Sequence, residues 1–140
     1  PLPRAVPQTT PTPVPAARLF PGVKVLVVDD NAVNRLVAVS HLKKLGCSVE
    51  EAVDGADALD RAHDTDFHLI FMDCHMPGVD GFEATRRLRQ QKGASLPIIA
   101  LTASALEEDV KLCTASGMDG VLTKPVKRAD FVTVLERFVR

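Results

Sequence analysis

The chain has 140 residues, 46% of them hydrophobic, and a formal net charge of −1. That length suffices for one domain with a substantial core, and that composition fits a packed globule rather than a disordered chain. The balanced charge gives no general argument for nucleic-acid or membrane binding, no apolar run approaches the roughly 20 residues that span a bilayer, and the N-terminus lacks the basic-then-apolar layout of a signal peptide.

Residues 1–21, PLPRAVPQTTPTPVPAARLFP, hold seven of the ten prolines, with Arg4 and Arg18 and no acid. Proline fixes φ and removes backbone donors, so this segment reads as an extended, semi-rigid linker. A tether to something upstream is favoured over a loose tail or a ligand for a proline-binding module. The first residue is Pro1, not Met, and the chain reads as a piece of a longer protein. Residues 22–140 read as a single domain.

Val23–Val28, VKVLVV, is a short β-branched run of the kind buried on both faces of a sheet, and Asp29-Asp30 close it. Ala32–Leu45 is predicted helical, with Leu36, Val39, Leu42 and Leu45 at three-residue steps, and Gly46 stands where a left-handed C-cap is wanted. Ser48–Val53 is a weaker strand, Asp54-Gly55 a turn, and Ala56–His63 a short helix. His68–Met72 is the second strongly apolar strand, and Phe82–Gln91 is helical with arginines on its outer side. Pro97 precedes the strand Ile98–Leu101, Ala105–Ser116 is helical, and Gly117 ends it. Gly120–Leu122 is a short strand, and Arg128–Val139 a last helix with Phe131, Val134, Leu135 and Phe138 on one face. Five β–α units with apolar strands argue for a parallel sheet covered on both sides. Sites in such sheets form outside the carboxyl ends of the strands, at the topological switch point.

The strand ends carry the chemistry. The first strand ends in Asp29-Asp30, the third in Asp73, the fourth in Thr102, and the fifth leads to Lys124-Pro125. Taken singly, each has a bland reading: Asp or Thr as a helix cap, Asp-Asp as a solvated turn, Lys as surface. Gathered at one edge they read differently. Clustered carboxylates repel and cost stability unless a cation offsets them. Mg²⁺ takes oxygen ligands, keeps several waters and suits three Asp that await a phosphate. Lys124 would neutralise phosphoryl oxygens, Thr102 would donate a hydrogen bond to one, and one carboxylate would remain as the nucleophile that forms an acyl phosphate.

Cys47, Cys74 and Cys113 are odd in number and widely spaced, which argues against a disulfide framework and for a reducing, cytoplasmic setting. Cys74-His75 with His63 and His68 matches no common zinc spacing.

The motifs VLVVDDN, FMDCHMPGVDGFE, ALTAS and TKP, in that order and spacing, resemble those of response-regulator receiver domains. Their tone, in DDNAVNRLVA, MDCHMPGVDGFEATRRLR and GMDGVLTKPV, resembles receivers fused to hybrid sensor histidine kinases. The resemblance implies a flavodoxin-like (CheY-like) (βα)5 fold, doubly wound, with sheet order 2-1-3-4-5. It implies Asp73 as phosphoacceptor, and Asp29, Asp30, Asp73 and the backbone carbonyl of His75 as ligands of Mg²⁺, with Mn²⁺ as a substitute. It also implies Thr102 as the switch hydroxyl, Lys124 as the phosphoryl-pairing lysine, a cis bond before Pro125, and His75 and Ser104 as positions that tune phosphoryl lifetime. The implied partners are a histidine kinase core and a histidine phosphotransfer domain, with neither nucleic acid nor membrane contacted by this segment. The implied location is cytoplasmic, in a parent kinase that membrane anchoring would suit. The implied output surface is the helix Ala105–Ser116, the strand Gly120–Leu122 and the helix Arg128–Val139; a second partner face lies around Asn34, Arg35 and Ala38.

One position departs from the pattern. Val121 stands three residues before Lys124, where the family often carries Tyr or Phe that couples to the switch hydroxyl. That keeps open a phosphorylation-independent interaction module on the same fold. A phosphate-ester hydrolase with an Asp nucleophile is the third reading. Such enzymes need a second acid just after the nucleophile, where this chain has Cys74-His75, and only His75 could move the proton.

Overall fold

The computed structural model describes residues 20–76, 78–93, 95–103 and 106–139. Strands and helices alternate: β1 Lys24–Val28, α1 Ala32–Lys44, β2 Ser48–Ala52, α2 Gly55–Asp64, β3 Leu69–Asp73, α3 Gly81–Lys92, β4 Ile98–Thr102, α4 Glu107–Ser116, β5 Gly120–Thr123 and α5 Arg128–Phe138. The strands form one parallel sheet in the order β2-β1-β3-β4-β5, as expected. Every residue of β3 and β4 is buried, which is why LIFMD and IIALT read as unbroken runs rather than alternating ones.

Side chains alternate across each strand and so feed two separate cores. On one face Leu26, Val28, Ile70, Met72, Ile98 and Ala100 pack with Ala58 of α2, Ala84 and Leu88 of α3, and Cys113 of α4. On the other, Val25, Val27, Leu69, Phe71, Ile99 and Leu101 pack with Leu42 of α1 and Phe131 and Leu135 of α5. Phe71 meets Phe131 edge to face, with ring centroids 5.0 Å apart.

Three helices are capped by the acid or amide that ends the preceding turn. The side chains of Asn31, Asp54 and Asp80 accept from N–H groups in the first turns of α1, α2 and α3, at 2.8–3.0 Å. The N-cap of α4, Leu106, makes no side-chain cap bond, and only Cys113 and Ser116 of this helix are buried.

Several boundaries differ from the sequence expectation. Phe20, assigned to the linker, is buried in the second core, and its N–H donates to the Leu45 carbonyl at 2.7 Å. The folded unit therefore includes Phe20, whose ring gains by leaving water. The rest of the linker lies outside the described residues. The three-residue spacing groups Leu36 with Val39, Leu42 and Leu45, yet Leu36 is 66% exposed. At about 100° per residue, the nine residues from Leu36 to Leu45 rotate by a half turn beyond two full ones, so the two point to opposite sides. Both α2 and α3 start one residue early, at Gly55 and Gly81. The expected start of α4 at Ala105 lies outside the described residues.

Candidate functional site

The parallel register brings the expected groups to one edge. Val28 pairs with Met72, so the next residues along, Asp29 and Asp73, emerge side by side. Thr102 pairs with Thr123, which sets Lys124 beyond the same edge. The N–H of Lys124 donates to the Thr102 carbonyl at 2.7 Å, and the Lys124–Pro125 peptide bond is cis.

Asp73 is 4% exposed and Asp29 1% exposed, while Asp30 is open to solvent. The Lys124 ammonium bridges the two buried acids, 3.1 Å from Asp29 Oδ2 and 3.3 Å from Asp73 Oδ1. The N–H of His75 also donates to Asp73 Oδ1, at 3.2 Å. Burial raises the Asp73 carboxyl, Lys124 opposes that, Asp29 adds to it, and the result is about 6. Burial pulls Lys124 down, but the two carboxylates outweigh it and hold the ammonium above the ordinary lysine range. Carboxylate oxygens of Asp29, Asp30 and Asp73 lie within 4.8 Å of one another. Three acids faced by one ammonium leave a net negative, all-oxygen cluster, and that donor set fits a hard divalent cation such as Mg²⁺.

The surrounding backbone is shaped to hold this cluster. Asp29 Oδ1 accepts from the Asn31 N–H at 2.9 Å, and Arg35 of α1 donates to the Asp29 carbonyl at 2.8 Å and to Glu51 at 2.9 Å. The Gly81 N–H donates to the Cys74 carbonyl at 3.2 Å, closing the loop after β3. A Cβ on Gly81 would run into the Asp73 carbonyl oxygen, so only glycine lets α3 start this close. Sequence reading missed these supports. Asn31 carried the usual signal of a capping residue after a strand, whereas nothing in the sequence around Gly81 marks the close approach of another backbone.

His75 is exposed, and its ring meets Phe82 edge to face at 6.0 Å between centroids. Burial, then Cys113, raise the Cys74 thiol, so in the closed fold it stays protonated beside Asp73. Val121 is half-buried and packs against the first core. Ser104 lies outside the described residues. A cavity of about 110 Å³ adjoins Asp29 and Lys124, walled by Val37, Ala38, Val126 and Phe131. A larger cleft, about 610 Å³, lies at the opposite edge of the sheet between Phe67, His68, Leu96 and Phe138, and holds none of the clustered acids. Beside the acidic edge, Val33, Leu36 and Val37 of α1 and Val53 after β2 stand exposed. No helix among the described residues is long and apolar enough to cross a membrane.

A five-stranded doubly wound sheet with an acid-and-lysine cluster at its carboxyl edge defines a CheY-like α/β class. The chain belongs to the response regulator receiver domain family, whose profile matches residues 25–136. It is 42% identical over 123 residues to the osmosensing histidine protein kinase SLN1 of Saccharomyces cerevisiae, a match covering 84% of this chain and 10% of that protein. The chain thus spans about a tenth of the length of the curated relatives it matches. Among solved structures, it is similar to the receiver domain of sensor histidine kinase PA1611 from Pseudomonas aeruginosa PAO1, with magnesium coordinated in the active-site cleft. That match has TM-score 0.79 and 42% identity, over 84% of this chain and 98% of that one. It is also similar to the Saccharomyces cerevisiae co-crystal structure of the phosphotransfer protein Ypd1 and the receiver domain of Ssk1, with TM-score 0.80 and 30% identity, over 86% and 90%. This is a receiver module of two-component signalling, homologous to the receivers of hybrid histidine kinases.

Proposed function

We propose that this domain accepts a phosphoryl group from a phosphohistidine onto Asp73, within a hybrid sensor histidine kinase, and passes it to a histidine phosphotransfer domain. The observation that carries the reading is the shared Lys124 contact between Asp29 and the buried, strand-terminal Asp73.

Asp29, Asp30, Asp73 and the His75 carbonyl would hold Mg²⁺, or Mn²⁺ in its place. When bound, the ion offsets the negative charge that gathers where an anionic phosphoryl group meets three carboxylates. The chain's own groups do the rest. An Asp73 oxygen forms the new bond to phosphorus while the P–N bond of the donor breaks, and the departing imidazole keeps that electron pair and takes a proton. Asp73 acts as a carboxylate, so the reaction wants it deprotonated. Lys124 must exchange partners, leaving Asp73 Oδ1 for a phosphoryl oxygen while Asp29 keeps its place. Thr102 donates its hydroxyl to a second phosphoryl oxygen. By resemblance to the family, His75 and Ser104 would tune the lifetime of the acyl phosphate.

The exposed Val33, Leu36 and Val37, beside Asn34 and Arg35, suit an apolar partner face close to the acids, whereas Ala38, expected on that face, is buried in the core beneath it. The shift of Thr102 and Lys124 would be felt at α4, β5 and α5. The setting proposed is cytoplasmic, in a parent kinase anchored to a membrane.

The test is intact-mass measurement after incubation with a small phosphodonor and Mg²⁺, beside Asp73→Asn and a chelated control. One added phosphoryl group, absent from both controls, is expected. Uptake by Asp73→Asn at the same level would overturn the assignment, and no uptake by a metal-binding wild type would leave an interaction module.

A further inference from the structure

Two thiols outside the phosphoryl chemistry face each other. Cys74 and Cys113 lie 39 residues apart in sequence, their Sγ atoms are 3.7 Å apart, and each is 1% exposed. Cys74 is the first residue beyond β3, one peptide bond from Asp73, and Cys113 is one of the two buried residues of α4. The third cysteine, Cys47, belongs to the core on the other face of the sheet.

A disulfide needs about 2.05 Å between sulfurs, so the pair must close by roughly 1.7 Å. The fold says which side gives. All of β3 is buried between neighbours on both edges, whereas α4 keeps only Cys113 and Ser116 inside. A helix with so few buried anchors opens at low free energy, and its opening is what exposes both sulfurs to a reagent. The surroundings also suit the product. Met72, Met76 and Met118 share the pair's core, and a disulfide is as apolar as they are.

We propose that Cys74 and Cys113 form an oxidisable dithiol that a peroxide closes into a disulfide, stapling α4 to the end of β3. One thiol attacks the peroxide and becomes a sulfenic acid, releasing one water. The second sulfur then displaces that hydroxyl as a second water. Two thiols and one peroxide give one S–S bond and two waters; each sulfur gives up one electron and the peroxide O–O bond takes both. In a reducing compartment such a bond is transient. The staple would hold this lightly anchored helix against the strand that carries Asp73. Its formation does not depend on the phosphoryl reading and can be tested without phosphorylation.

The experiment uses the chain with Cys47→Ala, reduced and then exposed to a small excess of hydrogen peroxide. The protein is denatured, treated with iodoacetamide and weighed intact. Expected are loss of two hydrogens, no alkylation, one proteolytic fragment joining Cys74 to Cys113, and full recovery of two alkylatable thiols after reduction. The oxidised form should melt roughly 10 °C higher, as closing a loop of this size predicts. Amide exchange on α4 supplies the clock for opening. Two alkylatable thiols persisting after α4 amides have exchanged would overturn the proposal. So would two added oxygens on one cysteine without a cross-link, or a disulfide between two chains.

Discussion

In metal-free buffer at pH 7, Asp73→Asn is expected to be more stable than the wild type. Asp73 is buried beside Asp29 and shares one ammonium with it, and its carboxyl sits at about 6 against an ordinary 3.8. A carboxyl whose folded pKa lies above its unfolded value binds its proton more tightly in the folded state. Stability therefore falls as pH rises from the unfolded value through about 6, and levels off above it. The gap from 3.8 to about 6, at about 1.4 kcal/mol per pH unit, amounts to about 3 kcal/mol. Relaxation around Lys124 lowers the expected gain to about 1–2 kcal/mol. Asn keeps an oxygen that accepts the His75 N–H, so the loop is not released. Urea unfolding with a chelator, from pH 4 to pH 8, would measure it. The variant's advantage should be largest at pH 7 and shrink below pH 6, as the wild-type carboxyl takes up its proton. Saturating Mg²⁺ should reverse the order, since a ligand at 100 times its Kd stabilises the form that binds it by about 2.7 kcal/mol. A variant less stable than the wild type at pH 7 without metal, or an advantage that ignores pH, would refute the reasoning.

Gly81→Ala forces a methyl group onto the Asp73 carbonyl, and should cost about 2–4 kcal/mol by urea unfolding while cutting phosphoryl uptake by shifting the loop after β3. Arg89 donates to the carbonyls of Gly93, Leu96 and Gly117 and pairs with Asp119 at 2.7 Å; Arg89→Lys cannot reach them all and should lose about 1–3 kcal/mol by the same assay. Leu36→Asp touches no core and should leave stability within about 0.5 kcal/mol. It should slow phosphoryl transfer from a phosphohistidine protein at least about tenfold, a loss of about 1.4 kcal/mol of docking, while uptake from a small phosphodonor stays unchanged.

The sheet and the acidic edge were legible because their signals are local. Each buried strand is a short apolar run that stops on a polar residue, and a parallel sheet sends all such stops to one side. Asp29, Asp73, Thr102 and Lys124 could thus be brought together from order alone. The supports were not legible, because they depend on what comes near in space. Gly55 read as part of a turn and Gly81 drew no notice, yet each opens a helix where another backbone leaves no room for a Cβ. Leu36 fitted a three-residue rhythm that a helix of 3.6 residues per turn does not keep. Phe20 sat among prolines, and only the pocket it fills distinguishes it from them. The approach of Cys74 to Cys113 spans two β–α units and left no trace in the spacing of either.

The alternation along β3 makes the sheet a partition. Ile70 and Met72 answer to the layer of α2, α3 and α4, while Leu69 and Phe71 answer to the layer of α1 and α5. A substitution in one layer asks for compensation only from neighbours in that layer. The two halves of the molecule can therefore diverge at different rates among descendants. Exchanging α1 and α5 between homologues would redraw one face of the domain and leave the packing beneath α4 inherited intact.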